Sequence, residues 1–163
     1  WMADNAADLD LGSMSPALVG DRVLTVGKRG VGYLLDAARL GGIGGQLTSG
    51  ALCQAFGATA VAGSTVYLPC TDSTRAVDVD PAGGVHLRWT APIPADGSPV
   101  VGGGAIWVTD TDHGTLYALD PATGTPRQHI DLGTHLPHFT SPTLSNTHAY
   151  LGTTTGVTAI NVR

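Results

Sequence analysis

Residues 98–120 read SPVVGGGAIWVTDTDHGTLYALD, and the order of residue types in this stretch decides the fold. Val100 and Val101 precede a glycine run, Gly102-Gly103-Gly104. An apolar run from Ala105 to Val108 follows, then a polar turn at Asp112-His113-Gly114 and a second run, Thr115 to Leu119, that stops at Asp120. Short apolar runs bounded by glycine and aspartate are strands, since none has the length a helical period needs. Gly103-Gly104 supplies the positive φ of a two-residue hairpin turn. Asp120, at the end of its strand, is placed to accept hydrogen bonds from the backbone just after it, as an Asx turn does.

The same pattern occurs three more times: SPALVGDRVLTVGKRGVGYLLD at 15–36, ATAVAGSTVYLPCTDSTRAVD at 58–78 and SPTLSNTHAYLGTTTGVTAIN at 141–161. Anchored on Pro16, Thr59, Pro99 and Pro142, the copies are spaced 43, 40 and 43 residues apart. Their first turns fall at Gly20-Asp21, Gly63-Ser64, Gly103-Gly104 and Asn146-Thr147, and the third strands close at Asp36, Asp78 or Asp120. A polar fourth strand follows, as in Val85 to Trp89 and Pro126 to Ile130. Polar outermost strands are how a sheet protects its edge. A period of about 40 residues built of short strands alone is the mark of propeller blades. The expected fold is an all-β propeller of about four antiparallel four-stranded blades at 12–55, 56–96, 97–138 and 139–163, the last lacking its outer strand. Residues 1–11 are expected to be the outer strand of a preceding blade.

Composition narrows the function. Charged residues make up 13% of the 163, the net charge is −5, and Lys28 is the single lysine. With no basic run, and no aromatics interleaved with Arg or Lys, nothing attracts nucleic acid. No stretch approaches the roughly 20 apolar residues of a membrane span, and the opening residues have neither a basic nor an apolar leader region. The chain is therefore expected to be soluble, with further blades upstream because it opens in mid-pattern.

Cys53 and Cys70 bear on compartment. In the second copy, the turn at Gly63-Ser64 brings Cys70 opposite about Gly57, leaving Cys53 four residues beyond, so a curled lead-in joins the sulfurs. A disulfide there implies an oxidising compartment. The other possibility is two buried free thiols acting as small apolar residues.

Ala118-Leu119-Asp120-Pro121-Ala122-Thr123-Gly124 resembles the signature of the pyrroloquinoline-quinone-like (PQQ-like) β-propeller repeats, Ala-x-Asp-x-x-Thr-Gly-Lys-x-x-Trp. The resemblance covers essentially the whole chain. It implies an eight-bladed ring, of which this chain is half, and a Trp packed flat between neighbouring blades. Trp89 takes that place in the second copy, after an insertion at Val79-Asp80, while Gln128 stands there in the third and Trp1 is read as the counterpart from the preceding blade. The family includes quinoprotein dehydrogenases, which hold a quinone and Ca²⁺ on the ring axis with Glu, Asn and Asp and often carry a disulfide of adjacent cysteines. It also includes non-catalytic envelope members. This chain has no Glu and no adjacent cysteines.

Individual residues add little chemistry. His135 and His138 flank Leu136-Pro137 and are candidate metal ligands, but zinc needs three or four ligands and nothing accompanies them. The structural reading is a loop with Leu136 and Phe139 turned inward; His86, His113, His129 and His148 read as surface. Gly41-Gly42-Ile43-Gly44-Gly45 lacks the strand before and helix after that a dinucleotide loop requires, so it reads as a flexible crossing between blades. Asp72, Asp110 and Asp112 sit in equivalent turns, where carboxylates serve Ca²⁺, acid–base work or, more simply, the turn itself. No Gly-x-Ser-x-Gly elbow supports a nucleophilic serine. The reading is a non-catalytic extracytoplasmic bacterial scaffold without cofactor, catalytic residue or metal site. Its partners are upstream blades or a second copy, together with an envelope or extracellular protein. The runner-up is the C-terminal part of a PQQ-dependent dehydrogenase.

Overall fold

The computed structural model describes residues 2–162. Four antiparallel meanders follow one another. The first comprises β1 (Ala17–Val19), β2 (Arg22–Val26), β3 (Val31–Asp36) and β4 (Thr48–Ala51), and the second β5 (Ala60–Ala62), β6 (Thr65–Pro69), β7 (Thr74–Val79) and β8 (Val85–Ala91). The third holds β9 (Val100–Gly102), β10 (Ala105–Asp110), β11 (Thr115–Leu119) and β12 (Pro126–Asp131); the fourth holds β13 (Thr143–Ser145), β14 (His148–Thr153) and β15 (Gly156–Asn161), with no fourth strand among the described residues. The first turns lie where the repeats put them, with Val19 paired to Arg22, Ala62 to Thr65, Gly102 to Ala105 and Ser145 to His148. Gly20, Gly63, Gly103 and Asn146 open these turns at φ 58°, 61°, 59° and 53°. Asn146 tolerates the left-handed region because its short polar side chain stabilises that conformation locally.

The blades are held by cores between them. Val66 and Leu68 of β6 pack against Leu24, Val26 and Leu34 of the first blade. Tyr67, pointing the other way, joins Ile106, Val108 and Leu119 of the third. Trp107, Leu116 and Ala118 in turn meet Ala149 and Leu151 of the fourth. Central strands buried on both faces read as continuous apolar runs, and β6 and β10 are buried at every position. The arc is open: Tyr150 and Val157 of the last blade are exposed. Between inner strands the chain stitches blade to blade, since Ser98 Oγ accepts the Ala58 N–H at 2.9 Å from a residue 40 positions earlier. A serine before the proline position thus has a structural use.

The aspartate cap holds in two blades and moves in one. Asp36 Oδ1 accepts from Ala38 N–H, and Asp120 Oδ1 from Ala122 N–H, both at 2.8 Å. In the second blade, Asp80 accepts from Ala82 N–H, because the insertion at Val79-Asp80 carries the turn two residues on. Asp78 is left to accept from Thr65 Oγ1 at 2.7 Å and Arg88 at 2.9 Å.

Three further expectations are corrected. Of the strand expected at 1–11, the described residues 2–11 form none: Met2–Ala6 form a short helix, α1, closed by Ala7 N–H to Ala3 O and Leu9 N–H to Asp4 O. The segment is rich in Asp, Asn and Ala, which sheets disfavour. Its carboxylates meet Lys28 and Arg29 instead, Asp8 and Asp10 lying 2.6 and 3.0 Å from Lys28 Nζ and Asp4 pairing with Arg29. Trp1, read as a counterpart of Trp89, lies outside the described residues. The glycine run 41–45 does not cross between blades; it connects β3 to β4 inside the first blade. Finally, Cys70 bridges to Ala55 rather than to Gly57, so Cys53 is two residues past the pairing, with its Cα 5.7 Å from that of Cys70 in a disulfide.

Candidate functional site

A meander alternates its turns between two ends. The β1–β2 turns and the aspartate-capped β3–β4 connections lie at one end. The β2–β3 turns and the crossings from one blade to the next lie at the other. On this second face the loops enclose a cavity of about 590 Å³, lined among others by Ser13, Phe56, Asp96 and Phe139. Each of these four stands three residues before its copy's anchor, Pro16, Thr59, Pro99 or Pro142. One repeat position therefore contributes a hydroxyl, a carboxylate and both phenylalanines of the chain to one cavity. The β2–β3 type turns add Lys28, Thr71, Asp112 and His113.

The polar groups are partly paired. Lys28 lies 5.8 Å from the centroid of the Phe56 ring, and hydrogen bonds to Asp8 and then Asp10 raise its pKa. Asp96 accepts from Thr111 Oγ1 at 2.9 Å. Buried Asp110 shapes its turn by accepting the His113 N–H at 3.0 Å, and its other oxygen lies 2.8 Å from His113 Nδ1. That hydrogen bond raises the pKa of the exposed His113 imidazole above its ordinary value. The protonated form is thus favoured in the fold. Its contribution to stability is complete below the unfolded pKa of about 6.5 and is lost as pH rises through the raised folded value. Asp110→Asn removes the cause, and an NMR titration of the His113 ring should show its midpoint fall back to the ordinary histidine range; an unchanged midpoint would contradict the pairing.

Phe139 is the exception to its sequence reading. Leu136 is buried as expected, but Phe139 is 53% exposed, its backbone at φ 64° turning it to the cavity mouth beside His138. A bulky residue in the left-handed region is strained, and such strain gathers at functional sites. His138 lines the cavity, whereas His135 does not. Among the described residues, no group of three or more His, Cys, Asp or Glu side chains is placed to hold a metal ion. Asp110 and Asp112 line the cavity; Asp72 stands apart, 2.7 Å from Ser73 Oγ and 3.0 Å from Arg75. His113, read as surface, belongs to the site, and the signal for it is the Asp-x-x-His spacing of its turn. His86 sits 3.4 Å from Asp80, and His129 and His148 lie beside Tyr117 and Tyr150.

A quinone and its Ca²⁺, which the repeat family suggests, do not fit this cavity. Its carboxylates are Asp96, Asp110 and Asp112, of which the first two are engaged by Thr111 and His113. Among the described residues no Asn lines it, and the chain contains no Glu.

Four meander sheets stacked through inter-blade cores define a β-propeller arc of PQQ-like repeats. The chain belongs to the family described as outer membrane protein assembly factor BamB, whose model matches residues 1–129 and, overlapping, 45–163. The crystal structure of BamB from Moraxella catarrhalis aligns with 91% of this chain at TM-score 0.71 and 15% identity. The alignment covers 46% of that protein, so the chain spans about half its length. The computationally designed Ika4 protein matches at TM-score 0.70 and 13% identity, over 93% of this chain and 91% of its own. The quinohemoprotein alcohol dehydrogenase ADHIIG from Pseudomonas putida HK5 matches at TM-score 0.57 and 24% identity, over 76% of this chain and 21% of its own. No curated protein matches the chain. Among the described residues, no helix is long and apolar enough to cross a membrane.

Proposed function

We propose that this chain is a non-catalytic binding scaffold working outside the cytoplasm, and that it grips an envelope or extracellular protein through the cavity face. The observation that carries this reading is the repeat position three residues before each anchor. The blades keep their turns and cores alike, yet at that position they present Ser13, Phe56, Asp96 and Phe139 to one cavity. A constant frame with variable side chains at one face suits recognition, and a fold by itself assigns no activity. The disulfide supports an oxidising compartment. Family membership supports the envelope and the protein partner.

Exposed Phe139 serves as the aromatic anchor. Phe139→Ala should leave the melting temperature nearly unchanged and weaken retention of the envelope partner about 30-fold, as removal of a ~2 kcal/mol hot spot does. Ser64→Arg, on the opposite face, should leave retention intact. Equal loss in both variants, or in neither, contradicts the assignment. The dehydrogenase reading instead expects new visible absorbance when quinone and Ca²⁺ are added together; we expect none.

A further inference from the structure

The outer strands of the blades are not alike. In the second blade, β8 carries His86 and Arg88, and in the third, β12 opens with Pro126 and carries Arg127, His129 and Asp131. Proline and charge on an edge strand block pairing with another chain. The first blade's outer strand, β4, reads Thr48-Ser49-Gly50-Ala51 and has neither. Its backbone is aimed outward in a readable way. Leu52 N–H donates to Gly30 O, and Gly50 pairs with Gly32 in the same register, so Thr48 and Gly50 face β3. By the alternation of an antiparallel ladder, the N–H and C=O groups of Ser49 and Ala51 point away from the sheet. Among the described residues none of these four groups has a hydrogen-bond partner.

Two features beside the strand favour an apolar, extended visitor. A small cavity of about 140 Å³ lies against β4, walled by Leu34, Leu52 and Val85, and nothing stands within 4 Å of where a Gly50 Cβ would be. The loop leading into β4 exposes Leu40, Leu47 and Ile43, the last completely. We propose that β4 is a strand-addition site, receiving an extended, uncharged segment of a partner protein that pairs with Ser49 and Ala51 and places one apolar side chain in the cavity. Main-chain pairing supplies the affinity and the side-chain pocket supplies the selectivity, as in other edge-strand recognition. The site is on the outer rim, separate from the cavity face, and Phe139→Ala should not affect it.

The probe is a blocked hexapeptide of alternating threonine and valine, read by amide hydrogen exchange on the whole chain. With peptide at about ten times its dissociation constant, exchange at Ser49 and Ala51 should slow about tenfold by mass action. The amides of β8 and β12 should stay unchanged. Ser49→Pro removes an outward donor without touching the β3 ladder, and Ala51→Lys adds an edge charge. Both should melt like the parent protein and lose the effect, and the same peptide N-methylated at alternate amides should be inert. Absence of slowing up to roughly 10 mM peptide, beyond the millimolar range expected of so short a pairing, overturns the proposal. So does slowing that survives in both variants. A concentration-dependent dimer of the unliganded protein, lost in both variants, would assign the edge to self-pairing and also overturn it.

Discussion

Trp89→Ala lowers the stability of this protein by about 3–5 kcal/mol, the range for removing a large aromatic from a core, and the melting temperature by about 6–20 °C. The size of the effect follows from where a β-bulge aims this residue. Pairing of β7 with β8 slips between Ala76 and Val77, and past that point Trp89 faces the third blade rather than the first. There it is 8% exposed, 5.8 Å from the Tyr67 ring, and donates from Nε1 to Pro121 O at 3.0 Å. The indole lies on the Asp120–Gly124 turn of the next blade. A Cβ on Gly124 would stand 2.5 Å from Trp89 Cε3, in a backbone already at φ 73°. Gly124→Ala should therefore destabilise twice over, by left-handed strain of about 1–2 kcal/mol and by collision with the ring. In a Trp89→Ala background the collision disappears and only the strain remains. Denaturant melts of the two single variants and the double should show that coupling; simple additivity would mean that the ring does not rest on the turn.

Reduction of the Cys53–Cys70 bridge should cost about 3 kcal/mol by the chain-entropy argument for a loop of this size, or about 6–12 °C. The bridge spans 17 residues, and both cysteines are buried in the core between the first two blades. Around it, Thr71 N–H donates to Gln54 O at 3.0 Å and Ala95 N–H to Cys70 O at 3.2 Å, so the disulfide fastens the crossing that carries Phe56. Hydrogen exchange near Gln54 to Gly57 should quicken on reduction, ahead of global unfolding. Equal melts with and without reductant would contradict this role.

The propeller was legible because its signals are local and repeated. Gly20, Gly63, Gly103 and Asn146 each mark a turn whose conformation few other residues accept. Features that depend on distant neighbours were harder to read. Residues 2–6 form a helix rather than a strand, and Asp4, Asp8 and Asp10 in and after it meet Lys28 and Arg29 about 20 residues on, a pairing no local pattern announces. The aspartate cap in the second blade moved to Asp80, although the insertion that moves it was visible. Hydrophobicity alone points Phe139 inward; its positive φ, not its chemistry, sends it to the cavity mouth. Ser13, Phe56, Asp96 and Phe139 are scattered along the chain and become one site only when the copies are stacked. Their shared offset from the anchors was the available signal.

If the cavity face meets the partner, cross-linking distinguishes the two ends of the blades: a photo-cross-linking amino acid is placed singly at His138, Phe139 or Asp112 on that face, and at Ser64 or Thr147 on the other, in the native host. One adduct of constant mass is expected from the first three positions and none from the last two. Adducts confined to Ser64 and Thr147 would move recognition to the opposite face and contradict the proposal.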